Sequence, residues 1–274
     1  MKRIRVSLSI KKDLIDKIDN FVDGTLINSR SNAIEQFLEK YLEENRCCVI
    51  LAGGDPRYLW LDDIKEYRPL IKISDKETLI ENILKKIIRF DYRNIIIVGS
   101  KIINTRIFEL IGNGERLGCR IIYTEESEFK DSANSLKLAE KYLKSTFLFL
   151  PCDHYFDFDI KKLEQIHKLN NFVTTLAIYG GIRHDHNKSA IVELNGNEII
   201  NYWDTPKEDK TLLISTLIGF AEPGIFDFIK ERVSLHSVLP QFIEKRELGG
   251  ALLSGSFVNV HTKEDVNMVK RLVR

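Results

Sequence analysis

Two short loops in this sequence hold residues that could bind a charged ligand. The first is Ala52-Gly53-Gly54, which follows Leu51, and the second is Cys152-Asp153-His154. A glycine turn can present backbone amides to an anion, and an aspartate carboxylate can hold a cation. Each loop also has an ordinary structural interpretation, because a glycine pair makes a tight turn and an aspartate caps a loop. The secondary structure around the loops distinguishes the binding interpretation from the structural one.

Apolar runs alternate with helical patterns through the larger part of the chain. Strand-like runs lie at 48–52, 94–99, 120–123, 146–151 and 172–178, and helical patterns lie near 78–90, 104–112, 133–144 and 160–169. This alternation predicts an α/β domain with a mainly parallel sheet between helices. Ligands of such sheets bind at the carboxyl ends of strands, which is where both loops fall.

Five ordered motifs resemble those of the sugar-1-phosphate nucleotidyltransferases, and the likeness spans residues 48–270. They are Leu51-Ala52-Gly53-Gly54, Arg68-Pro69-Leu70-Ile71, Leu150-Pro151-Cys152-Asp153-His154, Gly219-Phe220-Ala221-Glu222-Pro223 and Gly255-Ser256-Phe257-Val258-Asn259-Val260-His261-Thr262. The resemblance implies a three-layer αβα, Rossmann-like fold, the nucleotide-diphospho-sugar transferase fold. It also implies a nucleotide, sugar phosphate or nucleotide sugar as ligand.

The same resemblance assigns roles to individual residues. The nucleotide-binding residues it implies are Leu51, Ala52, Gly53, Gly54, Arg57, Arg68 and Asn134. Arg68 and Asp153 would be catalytic if the domain is active, and Asp153 with Asn259 would hold Mg²⁺. That chemistry needs amides and cations for the phosphates and oxygen ligands for the metal.

Several positions depart from the family pattern. In the first loop Pro56, Arg57 and Tyr58 replace the expected glycine, threonine and arginine. The family's lysine falls on Arg68, and its second metal carboxylate falls on Asn259. Further departures are Asp204-Thr205-Pro206 at the sugar-contacting element and Asp131-Ser132-Ala133 before Asn134. We expect weak metal binding and a degenerate site that binds a ligand better than it reacts.

Residues 3–10 alternate strictly between polar and apolar side chains. Arg3-Ile4-Arg5-Val6-Ser7-Leu8-Ser9-Ile10 has the period of a strand buried on one face, with Arg3, Arg5 and Ser7 on the other. Two helical patterns follow, at about 10–22 and 29–44. Because this length cannot form a core of its own, we expect the strand to pair with that of a second chain.

Residues 2–44 resemble the ribbon-helix-helix repressors of the Arc, MetJ and CopG kind. The resemblance implies a homodimer, or a higher oligomer, whose paired strands enter the major groove of a double-stranded DNA operator. The DNA-binding residues would be Arg3, Arg5, Ser7, Ser29, Arg30 and Ser31. The alternative is that this region serves dimerisation alone.

Charge distribution separates the two regions. Residues 1–12 contain Lys2, Arg3, Arg5, Lys11 and Lys12 and no acid, whereas the whole chain has a net charge of +1. We therefore predict a ribbon-helix-helix domain at 1–46 and a nucleotidyltransferase-like domain at 47–274. The larger region, with balanced charge, is not itself expected to bind a polyanion.

Composition excludes several other classes. No stretch has the length and apolarity of a membrane span, and the N-terminus lacks the apolar core of a secretion signal, so we expect no membrane partner and a cytoplasmic protein. Cys47, Cys48, Cys119 and Cys152 lack paired zinc spacing and are interpreted as reduced thiols. His184-Asp185-His186 could hold a metal, but a solvated loop is preferred.

Three functions follow from these patterns. The leading one is a DNA-binding transcription regulator whose degenerate transferase-like domain senses a nucleotide, sugar phosphate or nucleotide sugar. The alternative is an active Mg²⁺-dependent nucleotidyltransferase, acting on a sugar 1-phosphate or related alcohol phosphate, with an autoregulatory DNA-binding domain. The third makes the large domain an inert scaffold for protein contacts.

Overall fold

The structure is a computed structural model that describes residues 4–44, 46–128, 131–180, 189–204, 213–230 and 232–273, with side chains to residue 38 in the first range. It divides into two compact units, Met1–Asn45 and Arg46–Arg274. The described α-helices are α1 (Lys12–Asp19), α2 (Arg30–Glu44), α3 (Leu79–Arg89), α4 (Lys101–Ile111), α5 (Ser132–Lys137), α6 (Ile160–Asn170), α7 (Leu235–Val238) and α8 (Lys263–Leu272). No helix in these ranges is long and apolar enough to span a membrane.

The strands belong to the second unit. They are β1 (Cys47–Ala52), β2 (Trp60–Leu61), β3 (Glu66–Tyr67), β4 (Lys72–Ser74), β5 (Glu77–Thr78), β6 (Asn94–Gly99), β7 (Arg120–Glu125), β8 (Phe147–Pro151), β9 (His154–Phe156), β10 (Thr174–Gly180), β11 (Ile191–Asn195), β12 (Glu198–Trp203), β13 (Leu213–Ala221), β14 (Leu248–Leu252) and β15 (Phe257–Asn259). Short 3₁₀ helices lie at Pro56–Leu59, Arg68–Leu70, Glu115–Leu117, Glu140–Tyr142, Pro223–Phe228 and Leu239–Phe242.

Nine strands form one sheet, in the order β10-β14-β12-β11-β13-β8-β1-β6-β7. Strands β8, β1, β6 and β7 run parallel to their neighbours in this set. At β13 the direction reverses, because β13 pairs antiparallel with both β8 and β10. The sheet is therefore mixed, and the expectation of a mainly parallel sheet holds for only one half of it.

Both faces of the sheet are buried, which explains the continuous apolar runs. In β1, Cys48 and Ile50 face one core and Val49 and Leu51 face the other. Helices α3, α4, α6 and α8 pack on the first face, and α5 and α7 pack on the second. The result is the three-layer αβα arrangement predicted from the alternation of elements.

The first unit differs from its prediction. Residues 4–10 contain no strand, and α1 and α2 are the only described helices before residue 46. A strand is defined by its ladder of hydrogen bonds, and the predicted partner strand belongs to a second chain. A ribbon-helix-helix domain is thus not shown. The first helix is also shorter than the predicted 10–22, because it begins at Lys12 and ends at Asp19.

Candidate active site

The glycine turn after β1 can be built only from glycine at one of its positions. A Cβ placed on Gly53 would lie 2.3 Å from Glu126 Oε2 and 2.4 Å from Ser135 Oγ. Gly54 has a φ of +82°, a conformation that side-chain-bearing residues rarely adopt. Because β1 lies between β6 and β8, this turn stands at the carboxyl ends of three parallel strands.

A buried carboxylate that the sequence analysis missed supports this turn. Glu126 follows β7, accepts a hydrogen bond from the Gly54 amide at 2.5 Å, and accepts a second from Ser135 Oγ at 3.0 Å. It is 4 % exposed. An acid directly after the predicted strand at 120–123, two strands away from β1 in the sheet, was the available signal. Glu126 fixes the turn, and it also engages one amide expected to face a phosphate.

The rest of the loop is organised by Asp55. Its carboxylate accepts hydrogen bonds from the Arg57 amide at 2.9 Å and from the Arg57 guanidinium, and its backbone carbonyl accepts one from the Tyr58 amide. The Arg57 side chain is 88 % exposed. Arg57, predicted to bind the nucleotide, is therefore held by Asp55 on the surface.

Arg68 and Asp153 lie together, as a shared site requires. Arg68 begins a 3₁₀ helix and Asp153 follows β8, and Arg68 Nη1 lies 3.1 Å from Asp153 Oδ2. Both side chains are largely buried, at 14 % and 11 % exposure. Among the described side chains, Arg68 Nε is a buried polar atom without a hydrogen-bond partner. The ion pair is thus a single contact that leaves part of the guanidinium fork unused.

Asn259 reaches the same place through a small second sheet. Strand β15 pairs antiparallel with β9, which sets Asn259 opposite His154, and the Val260 amide donates to the Asp153 carbonyl at 3.0 Å. The two side chains of this pair are also hydrogen-bonded. Asp153 and Asn259 therefore come from neighbouring strands, although more than a hundred residues separate them.

His154, which the sequence analysis assigned to a loop, lies on the buried strand β9. Its Nδ1 donates to the carbonyl of Thr216 at 2.8 Å, and its Nε2 lies 3.7 Å from Asp153 Oδ1. Burial lowers the pKa of His154, and the Asp153 charge opposes that shift. The ring is therefore expected to be neutral at pH 7, with its proton on Nδ1.

The carbonyl that holds His154 is made available by a bulge in β13. Ala177 of β10 stands opposite Thr216, Leu217 and Ile218, so the ladder between the two strands is interrupted. Leu217 has a φ of +53°, and Thr216 Oγ1 donates to the Ala177 carbonyl at 2.8 Å. Bulges next to sites commonly redirect backbone groups in this way.

The glycine turn, Asp153, His154 and Asn259 line one cleft of about 310 Å³, whereas Arg68 lies behind Asp153 and is not among the lining residues. The N-terminal half of the domain contributes the glycine turn, and the C-terminal half contributes the other wall. The lining residues are Leu51, Gly53, Gly54, Leu59, Ser132, Ser135, Pro151, Asp153, His154, Ser189, Ala190, Ser215, Leu217, Leu235, His236, Asn259 and His261. Asp153 is the only carboxylate among them, and the residues able to carry positive charge are histidines.

His236 is a second cleft residue that the sequence did not reveal. Its Nδ1 lies 2.6 Å from Tyr202 Oη and 3.1 Å from Asp204 Oδ1. Burial lowers the pKa of His236, and the Asp204 charge opposes this. Asp204 belongs to the predicted sugar-contacting element. Thr205 and Pro206 of that element lie outside the described residues.

Asn134 has a different position from the other predicted nucleotide-binding residues. Its amide nitrogen donates to the Lys230 carbonyl at 2.9 Å, and its amide oxygen accepts from the Val233 amide at 3.0 Å. It lines a neighbouring hollow together with Glu126 and Lys137. In this structure Asn134 anchors the segment before α7 and does not line the cleft.

The cleft offers a small set of donors to a divalent cation. The part of the chain that the structure describes contains no group of three or more His, Cys, Asp or Glu side chains arranged to hold a metal. Asp153 and Asn259 offer oxygen donors from adjacent strands. Mg²⁺ is commonly held by one or two protein ligands and completed by substrate phosphates and water. The residues present fit a cation of that kind.

Most of the second unit matches the model of a known protein family. The Nucleotidyl transferase model matches residues 47–251, which is most of the second unit. The chain belongs to the nucleotidyl transferase family. The predicted resemblance to nucleotidyltransferases is therefore confirmed for residues 47–251, and the fold is that of the family's α/β domain.

The chain has low sequence identity to the curated relatives that it matches. The chain is 24 % identical over 230 residues to mannose-1-phosphate guanylyltransferase catalytic subunit beta of Drosophila melanogaster, covering 79 % of this chain and 60 % of that protein. The chain thus spans about 60 % of the length of this curated relative. A 154-residue match at 25 % identity joins it to the bifunctional protein GlmU of Methanococcus aeolicus, covering 54 % of this chain and 36 % of that one.

Solved structures share the fold of this nucleotidyl transferase. A UDP-glucose pyrophosphorylase complexed with UDP-glucose has a TM-score of 0.69 at 13 % identity, covering 83 % of this chain and 98 % of that one. The inositol-1-phosphate CTP transferase from T. maritima has a TM-score of 0.65 at 16 % identity, covering 82 % and 95 %. At such identities the likeness concerns the fold alone.

The predicted DNA-binding residues lie in the first unit. Arg5 and Ser7 are exposed on extended chain, and Ser29 Oγ accepts a hydrogen bond from the Asn32 amide. Arg30 is paired with Asp19, whose two carboxylate oxygens lie 2.5 and 2.6 Å from Nε and Nη2. Ser31 is exposed. Arg3 and His184-Asp185-His186 lie outside the described residues.

Proposed function

We propose that the second unit transfers a nucleotidyl group from a nucleoside triphosphate to a phosphorylated sugar or a related alcohol phosphate. One observation carries this proposal: the Gly53-Gly54 turn, Asp153 and Asn259 meet in a single cleft at the carboxyl ends of the parallel strands. Open α/β sheets bind their ligands at that edge. Membership of the nucleotidyl transferase family supports the same reaction class.

The reaction joins two anions. An oxygen of the acceptor phosphate attacks the α-phosphorus of the triphosphate, a new P–O bond forms, and the bond to the β-phosphate breaks to release pyrophosphate. Negative charge accumulates on the leaving group, so cations and oriented dipoles must stabilise it. A bound magnesium ion would neutralise phosphate charge, and Asp153 and Asn259 are the residues that would hold it.

The chain's own residues divide the remaining work. The glycine turn lets phosphates approach the backbone closely, and Arg68 brings a permanent positive charge to the same side of the cleft. His154 positions Asn259, because its Nδ1 donates to the Thr216 carbonyl and its ring is hydrogen-bonded to the Asn259 side chain. His236 stands on the opposite wall, where the acceptor would lie.

The acceptor class follows from what the relatives' names describe. Those proteins act on mannose 1-phosphate or inositol 1-phosphate, and one is complexed with UDP-glucose. Their common feature is a phosphate ester of a small polyol. The wall around Ser189, Ala190 and Ser215 is small and partly polar, which suits such a ligand.

This proposal changes the order of the sequence-based interpretations. The leading interpretation, a DNA-binding regulator with a degenerate sensor domain, finds no support in the comparisons, and the active enzyme fits them better. The departures at Pro56, Arg57 and Tyr58 remain as differences within the loop. Asn259 can supply an oxygen ligand without a charge, so that departure alone does not exclude catalysis.

A pyrophosphate-release assay tests the proposal. The four nucleoside triphosphates are each combined with Mg²⁺ and a panel of hexose, amino-sugar and inositol 1-phosphates. We expect turnover with one combination and a loss of about 100-fold or more in Asp153→Ala, because the carboxylate stabilises transition-state charge through the cation it holds. Arg246→Ala, which removes an exposed arginine paired with Glu198, is the control. Thermal stabilisation by a ligand without turnover would instead indicate a binding domain.

We also propose that the first unit pairs with a second copy and binds DNA. The supporting observation is that Ile4, Val6 and Leu8 are 81 %, 68 % and 63 % exposed and alternate with Arg5 and Ser7. Of the described side chains up to residue 38, only that of Ala33 is buried. So little burial cannot stabilise a unit by itself, and a partner would cover this apolar row.

Sedimentation and operator binding test this second proposal with the full chain. Val6→Asp should convert dimer to monomer, because it places a charge in the paired face. Arg5→Ala should cost about 1–3 kcal/mol on a selected operator if it contacts a base, and Ser7→Ala should cost less. A wild type that is already a monomer, with the same molecular weight as Val6→Asp, would refute the pairing. Equal DNA affinity in the wild type, Arg5→Ala and Ser7→Ala would refute the DNA contact.

A further inference from the structure

Arg68 is paired with Asp153, the carboxylate that would bind the cation in the proposed reaction. Its Nη1 lies 3.1 Å from Asp153 Oδ2, and both side chains are largely buried. A guanidinium cannot lose its charge in a protein, so it cannot yield its place by deprotonation. A divalent cation beside it would meet direct repulsion across a poorly screened interior. Asp153 is therefore expected to bind a metal ion weakly while its Oδ2 is paired with Arg68.

The ion pair is built so that it can be exchanged. Arginine and carboxylate pair most strongly through two parallel hydrogen bonds, but here a single Nη1 contact is made. Nε is buried, and no hydrogen-bond partner for it lies within the described ranges. A buried donor without a partner is costly, and a ligand that satisfies it gains that energy back.

Phosphate is the ligand chemistry that matches this fork. Two of its oxygens can accept from Nε and one Nη together, which the present contact with Asp153 does not achieve. The backbone of Arg68 is fixed, because Pro69 and Leu70 of the same 3₁₀ helix are buried. Movement of the side chain alone would then transfer the guanidinium from Asp153 to an anion in the cleft.

We infer that Arg68 acts as a resident cation that neutralises Asp153 until a polyphosphate takes its guanidinium, so that the carboxylate opens to a metal only after the anion is bound. Arg68 is thus a positioning residue for the metal step as well as a phosphate ligand. The identity of the polyphosphate as a nucleotide rests on the proposed function, whereas the exchange itself rests on the Arg68–Asp153 contact.

The first test measures Mn²⁺ binding to the nucleotide-free protein by electron paramagnetic resonance. An adjacent opposite charge stabilises a carboxylate by about one to three logarithmic units. Arg68→Gln should therefore bind Mn²⁺ about tenfold or more tightly than the wild type, and Arg68→Lys should stay close to the wild type. Arg106→Gln removes another arginine that is bonded to a carboxylate, Glu66, and should change nothing.

The second test uses pyrophosphate in EDTA, measured by calorimetry. Asp153→Asn removes the partner that holds Arg68 and a nearby negative charge, so it should bind pyrophosphate more tightly than the wild type. Arg68→Gln should bind it more weakly. If these residues had only a structural role, substitution would weaken the binding of both Mn²⁺ and pyrophosphate. Exchange instead predicts that pyrophosphate affinity rises in Asp153→Asn and falls in Arg68→Gln.

These outcomes separate the inference from the proposed function, since neither test requires turnover. A folded Arg68→Gln protein with unchanged Mn²⁺ affinity overturns the exchange. If Arg68→Gln does not fold, the Asp153→Asn measurement decides, and weaker or unchanged pyrophosphate binding overturns it. Opposite shifts in the two variants, with no pyrophosphate release in any nucleotide assay, would support the exchange while refuting the enzyme.

Discussion

The two units of this chain bury their apolar side chains to very different degrees. In the second unit, every strand of the parallel set contributes to cores on both faces of the sheet. In the first unit, α1 has no buried residue and Leu14, Phe21 and Phe37 are substantially exposed. The comparison teaches that the second unit can fold on its own contacts, whereas the first buries too few apolar side chains to be stabilised in the same way. The following variants test how far this contrast extends.

The largest expected effect is a core truncation in the second unit. Phe147 is fully buried on β8 and stacks on Phe226 with a centroid distance of 5.7 Å. Phe147→Ala should lower the free energy of unfolding by about 3–5 kcal/mol, because it leaves a cavity between sheet and helix layer. Urea unfolding measures this. Leu169→Ala, at a residue 81 % exposed on α6, should have almost no effect. Equal losses would contradict the contrast.

The next effect concerns a buried amine. Burial lowers the pKa of Lys86 from 10.5 to about 8, against the opposing charges of Asp157 and Glu77. Between pH 8 and 10.5 the unfolded chain holds the proton and the folded chain does not, so stability should rise with pH. We expect a gain of about 1–3 kcal/mol across that interval.

Lys86→Met checks the assignment. It removes the titrating group, so the wild type should gain stability relative to this variant from pH 7.5 to 9.5, a range within about two units of the shifted pKa. Chemical unfolding at several pH values gives both curves. Lys85→Met is the neighbouring control, because Lys85 is half-exposed. Parallel curves for wild type and Lys86→Met would show that the lysine does not titrate in this range.

A smaller loss is expected at the glycine turn. Gly53→Ala forces a Cβ against Glu126 and Ser135, which are both hydrogen-bonded and cannot move freely. We expect about 1–3 kcal/mol of destabilisation, measured by thermal unfolding, together with weaker nucleotide binding. Gly224→Ala has open space around its Cβ and should be neutral. An unaffected Gly53→Ala protein would mean that the buried carboxylate tolerates displacement.

The smallest effect is expected in the first unit. Arg30→Ala removes the exposed ion pair with Asp19 and should leave the unfolding of the second unit unchanged. Any change in the helical signal of the first unit should vanish at high salt, which screens exposed charges. Circular dichroism at two salt concentrations measures this. A large, salt-resistant loss would show that this pair joins elements more firmly than its exposure indicates.

The sequence predicted the elements of the second unit well because their patterns are local. The apolar run at 94–99 coincides with β6, and the helical pattern near 160–169 with α6. Strand β13 was not among the predicted runs, and the reversal it causes could not be read from its own residues, because strand direction depends on connections. The strand predicted at residues 3–10 is absent from the described residues 4–10, because the predicted hydrogen-bond ladder depends on a second chain and not on local pattern alone.

The site was predicted only where a family motif marks it. Arg68, Asp153 and Asn259 were found through their motifs, and the structure brings Asp153 to both of the others. Glu126 and His236 were missed, because a lone acid or histidine has no spacing that distinguishes it. The pairing of Arg57 with Asp55 was also not predicted. Two opposite charges separated by one residue have the same sequence pattern whether or not their side chains are paired.

The bulge at Thr216 and Leu217 also restricts which sequences this strand can accept. Leu217 adopts a positive φ of +53° within a strand, where a side chain ordinarily raises the conformational energy. In a library of all amino acids at this position, glycine and asparagine should be enriched, and valine and isoleucine should be depleted. The same selection applied to Ile218 should give the reverse order, so that one strand would carry two opposite substitution profiles on consecutive residues.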